Sequence, residues 1–338
     1  MKQYHRFSST ALLLVLSGLL AGCDEPRPRP VIGQHQSGCQ THGCGHNGPD
    51  LADWILGALS IDGFPNDRQL ALVGARDRYG QEIGLALDSS GLVGVDLQTG
   101  AREPAPADLE GATLLIQDQS AAGRYVEWWL TIDQVTDVSY WSSQSGATPG
   151  YRLSLAPSHT PEERTPLCPG GGEALVIVGE HYDDETLDII DLPEHTDADA
   201  WFRFACESHL LWKSRKMSYD PSLPPGHAYY TTPAERRATI AMLAADYCGD
   251  GQRFTRTGVG LFWQNDRGWM DVGAPGQADT VIEAAWDEHG AICLDTPRLY
   301  ERYRRADIEE ACGRAIPTCD DSLLAQGKWL TYLPAADQ

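Results

Sequence analysis

Cysteine and histidine residues are the side chains of this sequence that come closest to a metal-binding or reactive site. A Gly-rich segment near the N-terminus contains five of them close together: His35, Cys39, His42, Cys44 and His46. Imidazole nitrogens and deprotonated thiols at this spacing can hold zinc or copper. Exported thiols usually oxidise, however, and a disulfide loop closed by Cys39 and Cys44 needs no metal. We therefore favour the disulfide and expect no cofactor.

The remaining cysteines indicate a protein held together by disulfides. The chain has nine cysteines, one of which, Cys23, lies at the end of an N-terminal export signal. The other eight are Cys39, Cys44, Cys168, Cys206, Cys248, Cys293, Cys312 and Cys319. An even set in an oxidising compartment predicts disulfides, although eight cysteines can pair in about 105 ways. Short separation favours Cys39–Cys44 and Cys312–Cys319 as local loops.

The N-terminal segment is typical of an exported lipoprotein. Lys2 and Arg6 precede an apolar stretch over residues 11–20, which is too short to span a hydrocarbon core of about 30 Å as a helix. The next residues, Leu20-Ala21-Gly22-Cys23, resemble the lipobox at which lipoprotein precursors are cut. We predict that residues 1–22 are removed as a signal peptide and that lipid on Cys23 anchors the protein to a membrane.

The residues after Cys23 predict a tether and a body outside the cytoplasm. Residues 23–50 are polar and rich in proline, glycine and histidine, with alternating prolines at 26–30 that favour an extended polyproline II spacer. The predicted location is the cell envelope, on the periplasmic face or at the cell surface. The net charge of −22 repels phosphate backbones, so nucleic acid is not an expected partner.

Two groups of acidic residues are candidates for cation binding or catalysis. Asp246 and Asp250 could bind Ca²⁺, but the segment lacks the alternating oxygen ligands of an EF-hand loop. Asp287, Glu288 and His289 combine two carboxylates with an imidazole. A turn explains each group without any chemistry. The sequence contains no H-E-x-x-H, G-x-S-x-G or Walker motif.

The elements that must position these side chains are mostly strands up to residue 160. Alternating apolar residues at 83–87 and 92–97 flank a turn at 88–91 and predict a β-hairpin. Enrichment in β-branched and aromatic residues predicts further strands at 112–117, 126–135 and 151–155. We therefore predict a β-rich domain over residues 51–160.

Aromatic residues of that domain are candidates for ligand binding. They are Tyr125, Trp128, Trp129, Tyr140 and Trp141. They could line a carbohydrate or peptide groove by stacking, or they could pack as core and cross-strand partners. Because aromatic residues of small β domains are mostly buried, we favour the core.

A Pro/Gly-rich segment around Cys168 marks the predicted start of a second domain, residues 161–338. A helix is predicted to begin after Thr232, because Pro233 and Glu235 complete a capping box, and to end at Gly249. A charged helix is predicted over 297–312, and strands are predicted at 174–180, 201–206, 283–286, 291–294 and, as an edge, 329–333. The predicted fold class is α+β: a β-rich N-terminal domain followed by a disulfide-stapled α+β domain.

The residues at the predicted helix end resemble the signature of a known family. They are Ala245, Asp246, Tyr247, Cys248, Gly249, Asp250 and Gly251. Together with Phe204-Ala205-Cys206-Glu207 and Lys213 before them and Gly290-Ala291-Ile292-Cys293 after them, they are similar to the ADYC domain of bacterial exported proteins over roughly residues 165–320. The resemblance implies export and disulfides, but no particular activity.

The sequence departs from the family pattern at positions that bear on Cys248. Ser214 and Thr239 stand where the resemblance leads us to expect two cysteines, which implies a bridge between those positions in relatives. For Cys248 the resemblance then implies a partner among the remaining cysteines, with Cys293 preferred. A nucleophilic Cys248 is disfavoured, because the negative end of a helix macrodipole opposes a thiolate. Phe254 replaces an expected histidine, which argues against an indispensable imidazole base there.

Two functional hypotheses follow from the sequence. The favoured one is a non-enzymatic envelope or surface protein that binds a glycan, a peptide or a partner protein. The alternative is an extracytoplasmic hydrolase whose acid and base are carboxylates. Exposed aromatic residues without a close carboxylate couple would favour binding, whereas two carboxylates about 5–9 Å apart in a cleft would favour glycoside hydrolysis.

Overall fold

The structure is a computed structural model that describes residues 56–334 except 89–90, 103–104, 120–125, 143, 145, 191–199, 208, 257, 270 and 273–279. These residues form a strand-rich α+β fold with disulfides in its C-terminal half, as predicted. The predicted signal peptide, Cys23 and the whole His/Cys tether lie outside the described residues. Within the described ranges, no helix has the length and apolar character needed to cross a bilayer.

Most of the described elements are strands, and the few α-helices are short and follow residue 206. Up to residue 206 the strands are β1 (Ala58–Ser60), β2 (Leu70–Arg76), β3 (Glu82–Asp88), β4 (Gly91–Val95), β5 (Thr113–Asp118), β6 (Val126–Ser139), β7 (Ala147–Pro157), β8 (Thr165–Pro166), β9 (Ala174–Val178), β10 (His181–Tyr182), β11 (Ile189–Ile190) and β12 (Trp201–Cys206). After it follow α1 (Leu210–Lys216), α2 (Pro233–Ala244), β13 (Phe262–Asn265), β14 (Asp271–Val272), β15 (Thr280–Asp287), β16 (Gly290–Leu294), α3 (Arg305–Cys312), α4 (Asp321–Leu324) and β17 (Trp329–Pro334).

The described strands pair into two main antiparallel sheets. The first has the order β1-β12-β9-β7-β6-β5-β2-β3-β4, with β8 paired to β7, and the second has the order β14-β13-β17-β15-β16. Strands β10 and β11 form a small separate pair. The predicted hairpin is confirmed, because β3 and β4 pair antiparallel with Leu87 opposite Leu92.

Strand β9 separates two hydrophobic cores. All five of its residues are buried, because successive side chains point to opposite faces of the sheet and both faces are covered. Leu175 and Ile177 pack on the helical side, whereas Ala174, Val176 and Val178 pack in the core of the first sheet. The continuous apolar run of this strand follows from that double burial.

The first sheet curls, so that β4 at one end approaches β7 in the middle of the strand order. The backbone of Leu92 in β4 lies against the Tyr151 side chain of β7: the Tyr151 hydroxyl is 3.3 Å from the Leu92 nitrogen and 3.4 Å from its carbonyl oxygen. Tyr151 is fully buried, so its hydroxyl needs such partners. This contact holds β4 over the core of the first sheet.

Helices α1 and α2 lie between the two sheets. Helix α1 contacts β9 and β12, α2 contacts β15, β16 and β17, and the two helices contact each other. The core that they share with the second sheet includes Leu210, Met242, Trp286 and Trp329. The segment after α2 is thereby placed beside the β15–β16 hairpin, where the Ala291 amide donates to the Tyr247 carbonyl (3.1 Å).

Helix α2 begins as predicted but ends earlier. The capping box is confirmed: the Glu235 amide donates to the Thr232 hydroxyl (3.2 Å), and the Thr232 amide donates to the Glu235 carboxylate (2.7 Å). The predicted end at Gly249 is wrong. The helix stops at Ala244, because Ala245 takes a left-handed conformation with φ of +53°.

The predicted helix over 297–312 is also too long. Helix α3 covers only Arg305–Cys312. The physical reason lies at Arg298, whose amide donates to the Tyr247 hydroxyl (2.8 Å) and whose guanidinium donates to carbonyls of α2. These tertiary bonds hold the segment before α3 against α2 and outside a helix.

The C-terminal strand is central rather than an edge. Strand β17 pairs with β13 on one side and β15 on the other. Its Trp329 is fully buried and donates its indole N–H to the Thr239 hydroxyl of α2 (2.9 Å). Because both neighbours of β17 lie earlier in the chain, its position depends on long-range pairing that local periodicity does not encode.

The first sheet continues across residue 160, where the sequence predicts a domain boundary. Strands β8, β9 and β12 follow that residue, and they pair with β7 and β1 from the preceding region. The predicted regions 51–160 and 161–338 therefore share one sheet. Their division into separate domains stays a prediction.

Candidate functional site

Residues 245–251, which carry the family-like motif, form a tight turn after α2. The Asp246 carboxylate accepts three backbone hydrogen bonds, from Gly249 (2.8 Å), Asp250 (3.2 Å) and Gly251 (2.8 Å). Burial raises the pKa of Asp246 to about 6, although the three N–H groups favour its carboxylate form. Both carboxylate oxygens hold the turn, which agrees with a hydrogen-bonding role rather than Ca²⁺ binding.

The Tyr247 side chain belongs to a fully buried polar network. Its hydroxyl donates to the Glu283 carboxylate (2.6 Å) and accepts from the Arg298 amide (2.8 Å). The Arg298 guanidinium pairs with Glu283 (3.0 Å) and donates to the Leu243 (3.1 Å) and Met242 (2.8 Å) carbonyls. Those carbonyls lie in the last turn of α2, where helical partners are missing. The network thus caps α2 and binds it to β15.

Two glycines of the turn permit close backbone contacts that no other residue would allow. Gly249 has φ of +75°, and a Cβ there would lie 2.1 Å from the His289 carbonyl oxygen. Gly251 has φ of +87°, and a Cβ there would lie 2.1 Å from the Glu185 carbonyl oxygen and 2.5 Å from the Thr186 Cα. The turn is therefore pressed against both the β15–β16 hairpin and the loop between β10 and β11.

Cys248 forms a disulfide with Cys312, the last residue of α3. The other disulfides among the described residues are Cys168–Cys206 and Cys293–Cys319. All six of these predicted cysteines are therefore paired. Cys39 and Cys44 lie outside the described residues.

The predicted pairings Cys312–Cys319 and Cys248–Cys293 are wrong. Helix α3 ends beside the turn, so Cys312 meets Cys248. Cys319 is instead held beside β16, where its amide donates to the Asp295 carboxylate (2.9 Å) and its sulfur bonds Cys293. Each half-cystine thus finds a partner that is close in space and distant in sequence.

An open cleft of about 490 Å³ lies beside the turn. It is lined by Cys248, Gly249, Asp287, His289, Ala291, Ile292 and Arg314. Arg314 is fixed at its rim, because one terminal nitrogen donates to the Tyr247 (3.2 Å) and Ala291 (3.3 Å) carbonyls. The cleft therefore combines an apolar wall with a guanidinium, an imidazole and a carboxylate.

The predicted turn at Asp287, Glu288 and His289 is confirmed. It connects β15 to β16, and the Asp287 carboxylate accepts from the His289 amide (2.8 Å). Asp287 and His289 line the cleft, as Cys248 and Gly249 of the motif do. Arg314 also lines it, and sequence reasoning missed this residue because it stands alone after α3 without a recognisable pattern.

Trp141 is the most exposed of the aromatic candidates that the structure describes. It is 36% exposed, yet it stacks on Trp263 (ring centroids 6.1 Å apart) and meets Trp212 edge to face (5.4 Å). The Lys216 ammonium lies 5.3 Å from the Trp141 ring and 5.0 Å from the Trp212 ring. These contacts are cation–π and aromatic packing within the protein.

The other predicted aromatic residues pack along the first sheet. Trp128 lies against its core, and the Trp129 indole donates to the Glu127 carboxylate (2.9 Å). Tyr140 is partly buried, and burial raises the pKa of its hydroxyl. Tyr125 lies outside the described residues. The contacts of Trp128 and Trp141 therefore agree better with a role as packing partners, which we favoured, than with a role in lining a groove.

Lys213 is an unexpected polar residue inside the helical core. It is 1% exposed, and its ammonium nitrogen has no hydrogen-bond partner among the described residues. Burial, with a smaller contribution from Arg298, lowers the pKa of Lys213 well below its ordinary value. Lys213 does not line the cleft beside the turn.

Among the described residues, four carboxylates with buried side chains pair with arginines. The pairs are Glu180–Arg236, Asp220–Arg215, Glu235–Arg267 and Glu283–Arg298. Each of these four acids is thus held in an ion pair within the fold. Over the same part of the chain, no group of three or more His, Cys, Asp and Glu residues is arranged to hold a metal ion.

The fold and the site define a disulfide-bonded α+β protein organised around one capped turn. A sequence model of the ADYC domain matches residues 106–300, more than half of the chain. The chain belongs to the ADYC domain family. The match begins earlier than the predicted similarity over 165–320 and includes β5 to β7 of the first sheet. No curated protein and no solved structure matches the chain significantly.

Proposed function

We propose that this ADYC protein is a non-enzymatic binding protein of the cell envelope, anchored by lipid on Cys23. Its ligand occupies the cleft beside the turn at residues 245–251. The supporting observation is that this cleft, of about 490 Å³, places the positive Arg314 and the negative Asp287 around one open volume. That volume is within the range of small-ligand sites. The turn supplies part of its wall, so the motif shapes a surface as well as a core.

The charges of the cleft favour a ligand that carries both a carboxylate and an ammonium group. A guanidinium binds a carboxylate with two parallel hydrogen bonds, and Arg314 uses only one terminal nitrogen for its carbonyl contacts. Asp287 is suited to an ammonium group, and Ala291 and Ile292 offer an apolar wall. Free amino acids and the ends of short peptides share this chemistry.

The hydrolase hypothesis has less support in this cleft. Its described lining contains one carboxylate, Asp287, whereas hydrolysis of glycosides by the common mechanism needs two. Glu283, which accepts from the Tyr247 hydroxyl, is fully buried in its pair with Arg298. A binding role therefore accounts for more of the geometry.

Replacing Arg314 by glutamine is expected to weaken ligand binding about tenfold or more, because a charge-assisted bond to a carboxylate is lost. Isothermal titration of the full-length protein with free amino acids, dipeptides, N-acetylated and C-amidated dipeptides would measure the change. Blocking either end should abolish binding. Arg256→Gln is the control, because Arg256 is exposed and does not line the cleft. If blocked and unblocked peptides bind equally, or if neither binds, the proposed site is wrong.

Replacing Cys23 by alanine is expected to abolish lipid attachment and membrane retention, because the thiol is the only acceptor of the predicted anchor. Mass spectrometry of the N-terminal peptide and membrane fractionation of the producing bacterium would measure both. Cys39→Ala is the control, since it removes a thiol from the predicted tether and leaves the lipobox unchanged. A Cys23→Ala protein that still carries lipid would refute the proposed anchor.

A further inference from the structure

The three described disulfides differ in their access to solvent. Cys168 and Cys206 are 2% and 0% exposed, and Cys293 is also 0% exposed. Both sulfur-bearing residues of the third bond, Cys248 and Cys312, are instead partly exposed. Cys319 is partly exposed too, but it is bonded to the buried Cys293. Because an attacking thiolate must reach a disulfide sulfur directly, the bond in which neither half-cystine is buried, Cys248–Cys312, is the most accessible of the three.

The same bond borders the open cleft, and a guanidinium and an imidazole border it as well. Cys248 shares the cleft lining with Arg314 and His289. Arginine and protonated histidine stabilise a neighbouring thiolate. Cys248 is thus placed where an incoming thiol has room to approach and where a departing thiolate finds positive charge.

We propose that Cys248–Cys312 is an exchangeable disulfide, a modification site for extracytoplasmic dithiols that enter through the cleft. The reagent class is a molecule or protein with two neighbouring thiols. The Cys168–Cys206 bond, in which both cysteines are buried, and the Cys293–Cys319 bond, in which Cys293 is buried, stay oxidised under the same conditions. The exchange does not depend on whether the cleft also binds a ligand.

The reaction balances as two thiol–disulfide exchanges. A thiolate of the dithiol attacks the Cys248 sulfur, the bond to Cys312 breaks, and Cys312 leaves as a thiolate that takes up a proton. The second thiol of the reagent loses its proton and attacks the reagent sulfur of the mixed disulfide. Cys248 then leaves as a thiolate beside Arg314. The dithiol has been oxidised to a disulfide, and the cysteine pair has gained two electrons. Of the two protons that the reagent released, one is on Cys312 and the other is in solvent, from which Cys248 can later be protonated.

Reduction would change the cleft itself. The Cys248–Cys312 bond ties the end of α3 to the turn, and Arg314 follows only two residues after Cys312. Without the bond, Arg314 is held to the turn and to β16 by its two carbonyl contacts of 3.2 and 3.3 Å alone. The redox state of Cys248 and Cys312 would therefore control how firmly Arg314 is held in the wall of the cleft.

The test is a time course of partial reduction on the oxidised full-length protein. Limiting dithiothreitol is the probe, samples are quenched with acid, and free thiols are alkylated and assigned by peptide mass mapping. Cys248 and Cys312 are expected to be labelled about tenfold faster than Cys168, Cys206, Cys293 and Cys319. Labelling of either of the other two pairs first, or of all six cysteines together, would overturn the proposal. Cys39 and Cys44 are mapped alongside and do not enter the comparison.

The dependence of the rate on dithiol concentration gives a second criterion. Direct attack through the cleft predicts a rate proportional to concentration over a tenfold range. A rate that does not change with concentration would mean that the fold must first open, and that result would reject the cleft as the entry route. Arg314→Gln should slow the reduction about threefold while Arg256→Gln leaves it unchanged; equal rates in all three proteins would remove Arg314 from the reaction.

Discussion

Replacing Gly251 by alanine is expected to lower the free energy of unfolding by about 3–5 kcal/mol. The new Cβ would lie 2.1 Å from the Glu185 carbonyl oxygen and 2.5 Å from the Thr186 Cα. Both are backbone atoms, so no side-chain rotation can relieve the overlap. The left-handed φ of +87° adds a further cost of about 1–2 kcal/mol. Urea unfolding followed by tryptophan fluorescence would measure the loss.

Gly258 provides a matched control for this substitution. Its φ is +89°, nearly that of Gly251, but a Cβ there would meet no atom within 4 Å. Gly258→Ala should therefore cost only the conformational term of about 1–2 kcal/mol. The difference between the two variants isolates the contact between the turn and the loop at residues 183–187. Equal losses would mean that this close contact does not exist in solution.

The two variants show what the motif encodes. Gly249 and Gly251 permit the close approach of neighbouring backbone. Asp246 accepts hydrogen bonds from the amides of the turn, and Cys248 links the turn to α3. Sequence patterns predicted the capping box of α2, because it depends on neighbours within a few residues, but they placed residues 245–248 of the turn inside the helix. The partners of the turn, Glu185, His289 and Cys312, come from three distant segments. The sequence of the turn contains no pattern that identifies these partners.

Disulfide pairing failed for the same physical reason. Short separation favoured Cys312–Cys319, yet α3 carries Cys312 toward the turn and leaves Cys319 beside β16. Participation in disulfides was predictable from the even number of cysteines and the predicted export signal. Connectivity depends on how α3 packs, and only the folded structure contains that information.

Strand positions within the sheets were likewise less predictable than the strands themselves. The segment at 329–333 was correctly predicted as a strand, but its place between β13 and β15 was not. Conversely, the apolar run of β9 is explained only by cores on both faces. Alternation fixes which side of a strand is buried, and it contains no record of which strands become neighbours.

The candidate site was only half visible in the sequence. Asp287 and His289 could be identified as candidates because they cluster in a predicted turn, and Cys248 because it lies in the motif. Arg314 completes the cleft from a loop after α3. Its contacts are with backbone carbonyls of Tyr247 and Ala291, and such contacts leave no pattern of residue types to detect.

Replacing Arg298 by methionine is expected to destabilise the fold by about 3–5 kcal/mol, because it leaves the Glu283 carboxylate buried without its counter-ion. Both side chains are 0% exposed. The substitution also removes the donors to the Met242 and Leu243 carbonyls at the end of α2. Urea unfolding should show a lower midpoint with an unchanged slope. Adding Glu283→Gln should recover part of the loss, because the buried charge disappears with it.

The pair between Lys328 and Asp266 is the control for burial. Its side chains are 40% and 33% exposed, and the charged atoms are 3.2 Å apart, close to the 3.0 Å of Arg298 and Glu283. Water screens this pair, so Lys328→Met should cost less than about 1 kcal/mol. If Arg298→Met proves no more damaging than Lys328→Met, the network around Tyr247 is solvated in solution, and the turn must be held by its glycines, Asp246 and the disulfide instead. If the double variant with Glu283→Gln is as unstable as the sum of its parts, the loss lies in the α2 carbonyls rather than in the stranded charge.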